Sequence, residues 1–218
     1  MSLTRVKVCC IMSAEEAVLA VAAGASAVGL VGAMPSGPGV IDDARIARIA
    51  RRVPPPIATF LLTSRTSADT IAAHHRTVRT TTIQLVDAVP PGTYDALREA
   101  LPGVSLVQVI HVVGEPSVDE ALRIAPHVDA LLLDSGNPAL AVKELGGTGR
   151  RHDWRLSRRI VAESPGPVFL AGGLSADNVR EAIHEVQPFG LDLCSGVRTD
   201  GRLDAEKLHA FFAEVRAA

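Results

Sequence analysis

VKVCCIMSAEEAVLAVAAGASAVGLV, running from Val6 to Val31, holds one complete strand–helix–strand unit. Val6–Cys9 is a short β-branched run of the kind that forms a buried strand. Ser13 followed three residues later by Glu16 is a capping box, and the spacing predicts a helix over Ala14–Ala23. Gly24 stands where a left-handed residue closes a helix, and Ala27–Val31 reads as the next strand. The segment Val18–Met34 carries no charge, but it is 17 residues long and broken by Gly24, Ser26, Gly29 and Gly32. It falls short of the roughly 20 apolar residues of a membrane span.

The same alternation repeats outward from this unit. Further strands are predicted at Ile57–Leu62, Thr82–Val86, Ser105–Ile110, Ala130–Asp134, Val168–Ala171 and Gly190–Cys194. Each is nearly continuous in aliphatic residues, as parallel strands covered on both faces are. The intervening amphipathic segments predict helices at Ile41–Val53, Ser67–Arg76, Thr93–Leu101, Ser117–Ala125, Arg155–Glu163, Ala176–Val186 and Ala205–Val215. Ser117 with Glu120 reads as a second capping box, Asp204 as the cap of the last helix, and Pro54-Pro55-Pro56 as a helix stop. Eight strands strictly alternating with eight helices exceed the usual open doubly wound sheet, and no glycine-rich dinucleotide fingerprint follows the first strand. The pattern predicts a closed (β/α)8 TIM barrel filling residues 1–218 as a single domain, near the short end of that fold's range.

Composition narrows the function classes. The chain has 218 residues, 22 Lys+Arg against 24 Asp+Glu, and only 3% aromatics. That balance carries no nucleic-acid footprint and too few rings for a base-stacking platform. Apolar residues at 47% exclude intrinsic disorder. Cys9, Cys10 and Cys194 make no disulfide framework, and the N-terminus lacks a cleavable secretory pattern, so a cytoplasmic protein without membrane partners is expected.

In such a barrel, chemistry sits at the C-terminal ends of the strands, with an anion site in the loops after strands seven and eight. Three glycine turns stand at such ends: Gly146-Gly147-Thr148-Gly149, Gly172-Gly173 and Ser195-Gly196. Glycine lets backbone N–H groups approach an anion closely, so these turns predict a phosphorylated small-molecule ligand. Two titratable groups end strands on the other wall. Cys9 shares its strand face with Lys7, and a thiol near a cation reaches the proton-accepting thiolate. Asp134 follows Leu131-Leu132-Leu133, and desolvation there raises a carboxyl pKa toward that of a proton donor.

The motifs that carry these residues resemble the phosphoribosylanthranilate isomerase family of tryptophan biosynthesis along essentially the whole chain. They are Lys7-Val8-Cys9-Cys10-Ile11, GASAVGLV (Gly24–Val31), IQL (Ile83–Leu85), LLLDS (Leu131–Ser135) and GGTG with HDW (Gly146–Trp154). LAGGLSADNV (Leu170–Val179) and GLDLCSGVRTDGRLDAEKLHAFF (Gly190–Phe212) complete the set. The resemblance implies an Amadori rearrangement of N-(5-phosphoribosyl)anthranilate without cofactor or metal, in a monomer or homodimer. It implies Cys9 as general base and Asp134 as general acid. It also implies that Gly147, Thr148, Gly149, Gly172, Gly173, Ser195 and Gly196 hold the phosphate.

The departures cluster at the opposite end of the pocket. Where the family carries Ser-Pro-Arg after strand two, this chain reads Ser36-Gly37-Pro38-Gly39, without a cation. The family's histidine after strand four is Val86, the glycine after the catalytic cysteine is Cys10, and Arg198 stands where Glu is common. Losing a guanidinium from a carboxylate site removes a strong bidentate contact. Arg65 would replace it if its loop folded over the pocket, and Lys7, Gln84 and His111 are the other candidate pocket residues, with His152 nearby. Three readings stay open on the residues: this isomerase with a rebuilt carboxylate clamp, the same mechanism on a different phosphorylated aminosugar or aldose, and a phosphate-binding barrel without turnover.

Overall fold

Alternation along each strand sorts its side chains into two layers, and the computed structural model, which describes residues 4–136, 139–140, 143, 145 and 149–218, shows both. Strands β1 (Arg5–Val8), β2 (Ala27–Val31), β3 (Ala58–Thr63) and β4 (Thr82–Leu85) form one half of the ring. Strands β5 (Ser105–His111), β6 (Ala130–Asp134), β7 (Val168–Leu170) and β8 (Gly190–Leu193) form the other. They pair in chain order, all parallel, and β8 returns to β1 to close the barrel. In β1, Val6 and Val8 face the helices, while Lys7 and Cys9 face the interior. Ala27, Val31, Phe60, Leu62, Val107, Val109, Leu132 and Phe169 fill that interior, with Phe60 and Phe169 edge to face at 6.2 Å. Phe211, Phe212 and Trp154 pack instead in the outer layer under the helices.

Helices α1 (Ala14–Ala23), α2 (Asp43–Ala50), α3 (Ala68–Val78), α4 (Thr93–Ala100), α5 (Pro116–Ile124), α6 (Trp154–Glu163), α7 (Val179–Val186) and α8 (Ala205–Ala217) form the outer ring. Among the described residues none of them is long and apolar enough to cross a membrane. The expected caps at Ser13, Gly24 and Asp204 are formed: Ser13 Oγ accepts from Glu16 N, Gly24 sits at φ +117°, and Asp204 accepts from Glu206 N and Lys207 N. A short antiparallel hairpin, β9 (Arg198–Thr199) and β10 (Arg202–Leu203), turns through Asp200 and Gly201, both at positive φ as a two-residue hairpin loop requires.

Three local expectations are corrected. Ser117 does not cap α5, which starts at Pro116; its hydroxyl instead donates to His111 O and accepts from Val113 N, stapling the end of β5. The seventh helix begins at Val179 rather than Ala176, because Asn178 is engaged elsewhere: its Oδ1 accepts from Ser175 N and its Nδ2 donates to Gly173 O. The second helix begins at Asp43 rather than Ile41, since Ile41 N extends the β2 ladder to Val31 O and Asp42 caps through Arg45 N.

Candidate active site

The strand ends open onto one cleft, lined by Cys9, Gln84 and Asp134, by Gly149, Gly172, Gly173 and Ser195, and by the segment Met34 to Pro38 that follows β2. Cys9 comes to it from β1 and Asp134 from β6, three strands round the ring. Cys9 is 5% exposed, and its N–H donates to Leu193 O at 2.8 Å, continuing the β1–β8 ladder. Its thiol has space because the neighbouring strand carries Gly29, where a Cβ would stand 2.7 Å from the sulfur. Asp134 is 9% exposed, and its Oδ1 accepts from Ser135 N at 2.7 Å, which fixes the carboxyl at the strand end.

Beneath Cys9 lies a buried ion pair. Lys7 is fully buried, its Nζ 2.8 Å from Asp192 Oδ1 and 5.3 Å from the centre of the Phe60 ring. Burial works against its charge, but Asp192 and the thiol of Cys9, both within hydrogen-bond reach, hold it protonated well above the usual lysine range. Asp192 also lines the cleft, and burial pushes its carboxyl up against the pull of Lys7. Lys7 is thus the floor of the site, already paired, rather than a free cation in its wall. Asp192 was not singled out in the sequence; a carboxylate between two leucines on an inward-facing position was the available signal.

At the opposite end the glycine turns form a cradle. Gly172 and Gly173 sit at φ +87° and +63°, and a Cβ on either would press against the Gly149–Arg150 backbone at 3.0 Å. Among the described residues the amides of Gly172 and Gly173 donate to no protein acceptor, which leaves them free for an anion. Ser195 opens a short 3-10 turn and faces Gly149. Gly196 lies behind the cleft; a Cβ there would stand 2.0 Å from Leu174 O, so its role is close backbone packing. Gly147 and Thr148, expected in the same cradle, lie outside the described residues.

The remaining candidates divide. Gln84 lines the cleft, is 3% exposed, and its Oε1 has no partner, an acceptor held ready for a donor from a ligand. His111 does not line it; its Nε2–H donates to Val86 O at 3.0 Å, joining the ends of β5 and β4. Arg65 does not fold over the mouth; its guanidinium donates to Thr70 O in the first turn of α3. Among the described lining residues none is Lys or Arg. His152 stands behind Gly172 with its Nε2 2.6 Å from Ser157 Oγ, and burial pushes it down to about 4, so the ring is neutral. No group of three or more His, Cys, Asp or Glu among the described residues is arranged to hold a metal.

Arg198 proves to be a clamp that sequence reading noted only as a departure. Its guanidinium donates to Glu16 and Gly201 and to the carbonyls of Cys9 and Cys10, fastening the end of β1 to the β9–β10 hairpin. Glu16 completes the lock by accepting from Met12 N and Leu203 N. Cys10, held at φ +60°, packs against Gly39, where a Cβ would stand 2.5 Å from its own.

Residues 6–214 match the family model described as N-(5'-phosphoribosyl)anthranilate (PRA) isomerase. A curated relative, N-(5'-phosphoribosyl)anthranilate isomerase 2 of Methanosarcina mazei, is 38% identical over 95% of this chain and 92% of its own. The crystal structure of phosphoribosyl anthranilate isomerase from Thermotoga maritima superposes with a TM-score of 0.83 at 27% identity, over 99% of this chain and 100% of that one. A crystal structure of a phosphoribosyl anthranilate isomerase in complex with reduced 1-(o-carboxyphenylamino)-1-deoxyribulose 5-phosphate superposes at 0.82 with 25% identity, over 99% of this chain and 100% of that one.

Proposed function

The chain belongs to the N-(5'-phosphoribosyl)anthranilate isomerase family, enzymes of tryptophan biosynthesis, and from that premise we propose how its own residues carry out the isomerisation. The substrate's 5-phosphate lies in the cradle of Gly149, Gly172, Gly173 and Ser195. Asp134, as the acid, protonates the ring oxygen; the C1–O bond breaks as the nitrogen lone pair forms an iminium. Cys9, as thiolate, removes the C2 proton, and the electron pair of that C–H bond neutralises the iminium to give an enolamine. Tautomerisation of the enol gives the 1-amino-1-deoxy ketose. Lys7 lies beneath the Cys9 sulfur, and Gln84 Oε1 accepts the substrate's anilino N–H or a hydroxyl.

The observation that carries this reading is the joint placement of Cys9 and Asp134 in the same cleft as the unpartnered glycine amides. A second reading has an observation of its own. With no Lys or Arg among the described lining residues, the wall built by Val31, Met34 and Leu62 suits an N-substituent without a carboxylate. The same proposal takes the enzyme as cytoplasmic, monomeric or homodimeric, with the whole activity in one barrel domain.

The test is loss of fluorescence when purified protein meets the anthranilate substrate, run beside the N-phosphoribosyl derivative of aniline. Turnover that falls at least a hundredfold in both Cys9→Ser and Asp134→Asn supports the assigned roles. Full activity in either variant overturns them. Preference for the aniline derivative establishes the second reading.

A further inference from the structure

The mechanism uses Cys9 but leaves Cys10 and Cys194 without a task, although all three thiols are free and line the same cleft. Parallel pairing brings them together. Val8 stands opposite Leu193 in the β1–β8 register, so the chain leaves both strands side by side at Cys9-Cys10 and Cys194. The left-handed turn at Cys10 keeps it in the inner cluster beside Cys9, and Cys194 packs against the same cluster. Cys10 is 5% exposed, while Cys194 is half-buried at the mouth and accessible to a small solute.

The surroundings make the two sulfurs unequal. Arg198 spends its Nη atoms on Glu16, Gly201 and the carbonyls of Cys9 and Cys10, and its buried Nε finds no oxygen. The thiol of Cys10 donating to Cys194, reinforced by the Arg198 charge, holds Cys194 below the ordinary thiol range despite burial. The same bond, a second one with Cys9, and burial together push Cys10 well above it. The arrangement is that of an attacking sulfur and a resolving one.

We propose that Cys194 and Cys10 form a peroxide-reactive dithiol pair that closes to a disulfide across the ends of β8 and β1. The Cys194 thiolate attacks a peroxide oxygen; an S–O bond forms, the O–O bond breaks, and hydroxide leaves. Cys10, giving up its proton, attacks the resulting sulfenic sulfur; the S–S bond forms and water leaves. Two electrons pass from the thiol pair to hydrogen peroxide, and dithiothreitol reverses the change.

The test reads covalent state, so it stands whether or not the assigned isomerase roles hold. Purified full-length protein is treated with one equivalent of hydrogen peroxide in the presence of a chelator. The three titratable thiols should fall to one, a non-reduced digest should join the Cys10 and Cys194 peptides, and dithiothreitol should restore all three. In Cys10→Gly, suited to the left-handed backbone at that position, the sulfenic acid at Cys194 should persist and be trapped by dimedone. Three thiols surviving peroxide, a bridge that includes Cys9, or dimedone labelling of Cys9 ahead of Cys194 would each overturn the proposal.

Discussion

Replacing Lys7 by Met removes the cation beneath Cys9 while keeping its volume and apolar stem. At 2.8 Å from Asp192, with exposures of 0% and 8%, the pair is worth about 6 kcal/mol of gross attraction at an effective dielectric of about 20. Desolvation offsets most of that, so the useful quantity is the cost of stranding the carboxylate. Asp192 escapes by taking a proton. From its ordinary value of 3.8 this costs about 1.36 × (7 − 3.8), or about 4 kcal/mol, at pH 7. That agrees with the roughly 3–5 kcal/mol found when one partner of a buried pair is deleted.

The sign of the pH dependence follows. In Lys7→Met the folded state binds a proton that the unfolded state lacks, so the deficit shrinks as pH falls, to about 2 kcal/mol at pH 5. Urea unfolding of both proteins at pH 7 and pH 5 measures it. Lys7→Met/Asp192→Leu, with no charge left to strand, should regain most of the stability. Its turnover should stay low, because the ammonium facing Cys9 is absent from both variants. A deficit equal at the two pH values, or a double variant no more stable than the single one, would refute the reasoning.

Two further outcomes follow from the same geometry. Gly29→Ala places a Cβ 2.7 Å from the Cys9 sulfur, so the thiol must shift; kcat should fall tenfold or more with KM little changed, and stability by about 1–3 kcal/mol, read by steady-state kinetics and urea melts. His152 is held down to about 4 in the folded protein against 6.5 ordinarily; its share of stability is complete above pH 6.5 and is lost as pH falls toward 4, up to about 3 kcal/mol, and His152→Gln should flatten the stability curve across that window.

Much of this was legible from local pattern. The alternation of aliphatic strands with capped amphipathic helices determined the barrel, because burial on both faces and the 3.6-residue helical period leave their marks within single elements. Period-two parity placed Lys7 with Cys9 on the inward face and Asp134 at a strand end, and glycines at two strand ends marked the cradle. Where a polar side chain found a backbone carbonyl as its acceptor, the same reading erred. Arg65 found Thr70 O, His111 found Val86 O, and Ser117 found His111 O, and no propensity announces such partners.

Tertiary closure alone decided the rest. Lys7 and Asp192 are 185 residues apart and meet only because β8 docks on β1 in one register. The same register brings Cys194 into one cluster with Cys9 and Cys10 and lets Arg198 grip the carbonyls at the end of β1. A sequence specifies which side of its strand a residue faces, since that depends on neighbours two positions away. Which charge or thiol it then faces across the barrel depends on the ring closing, and that is a property of the whole chain.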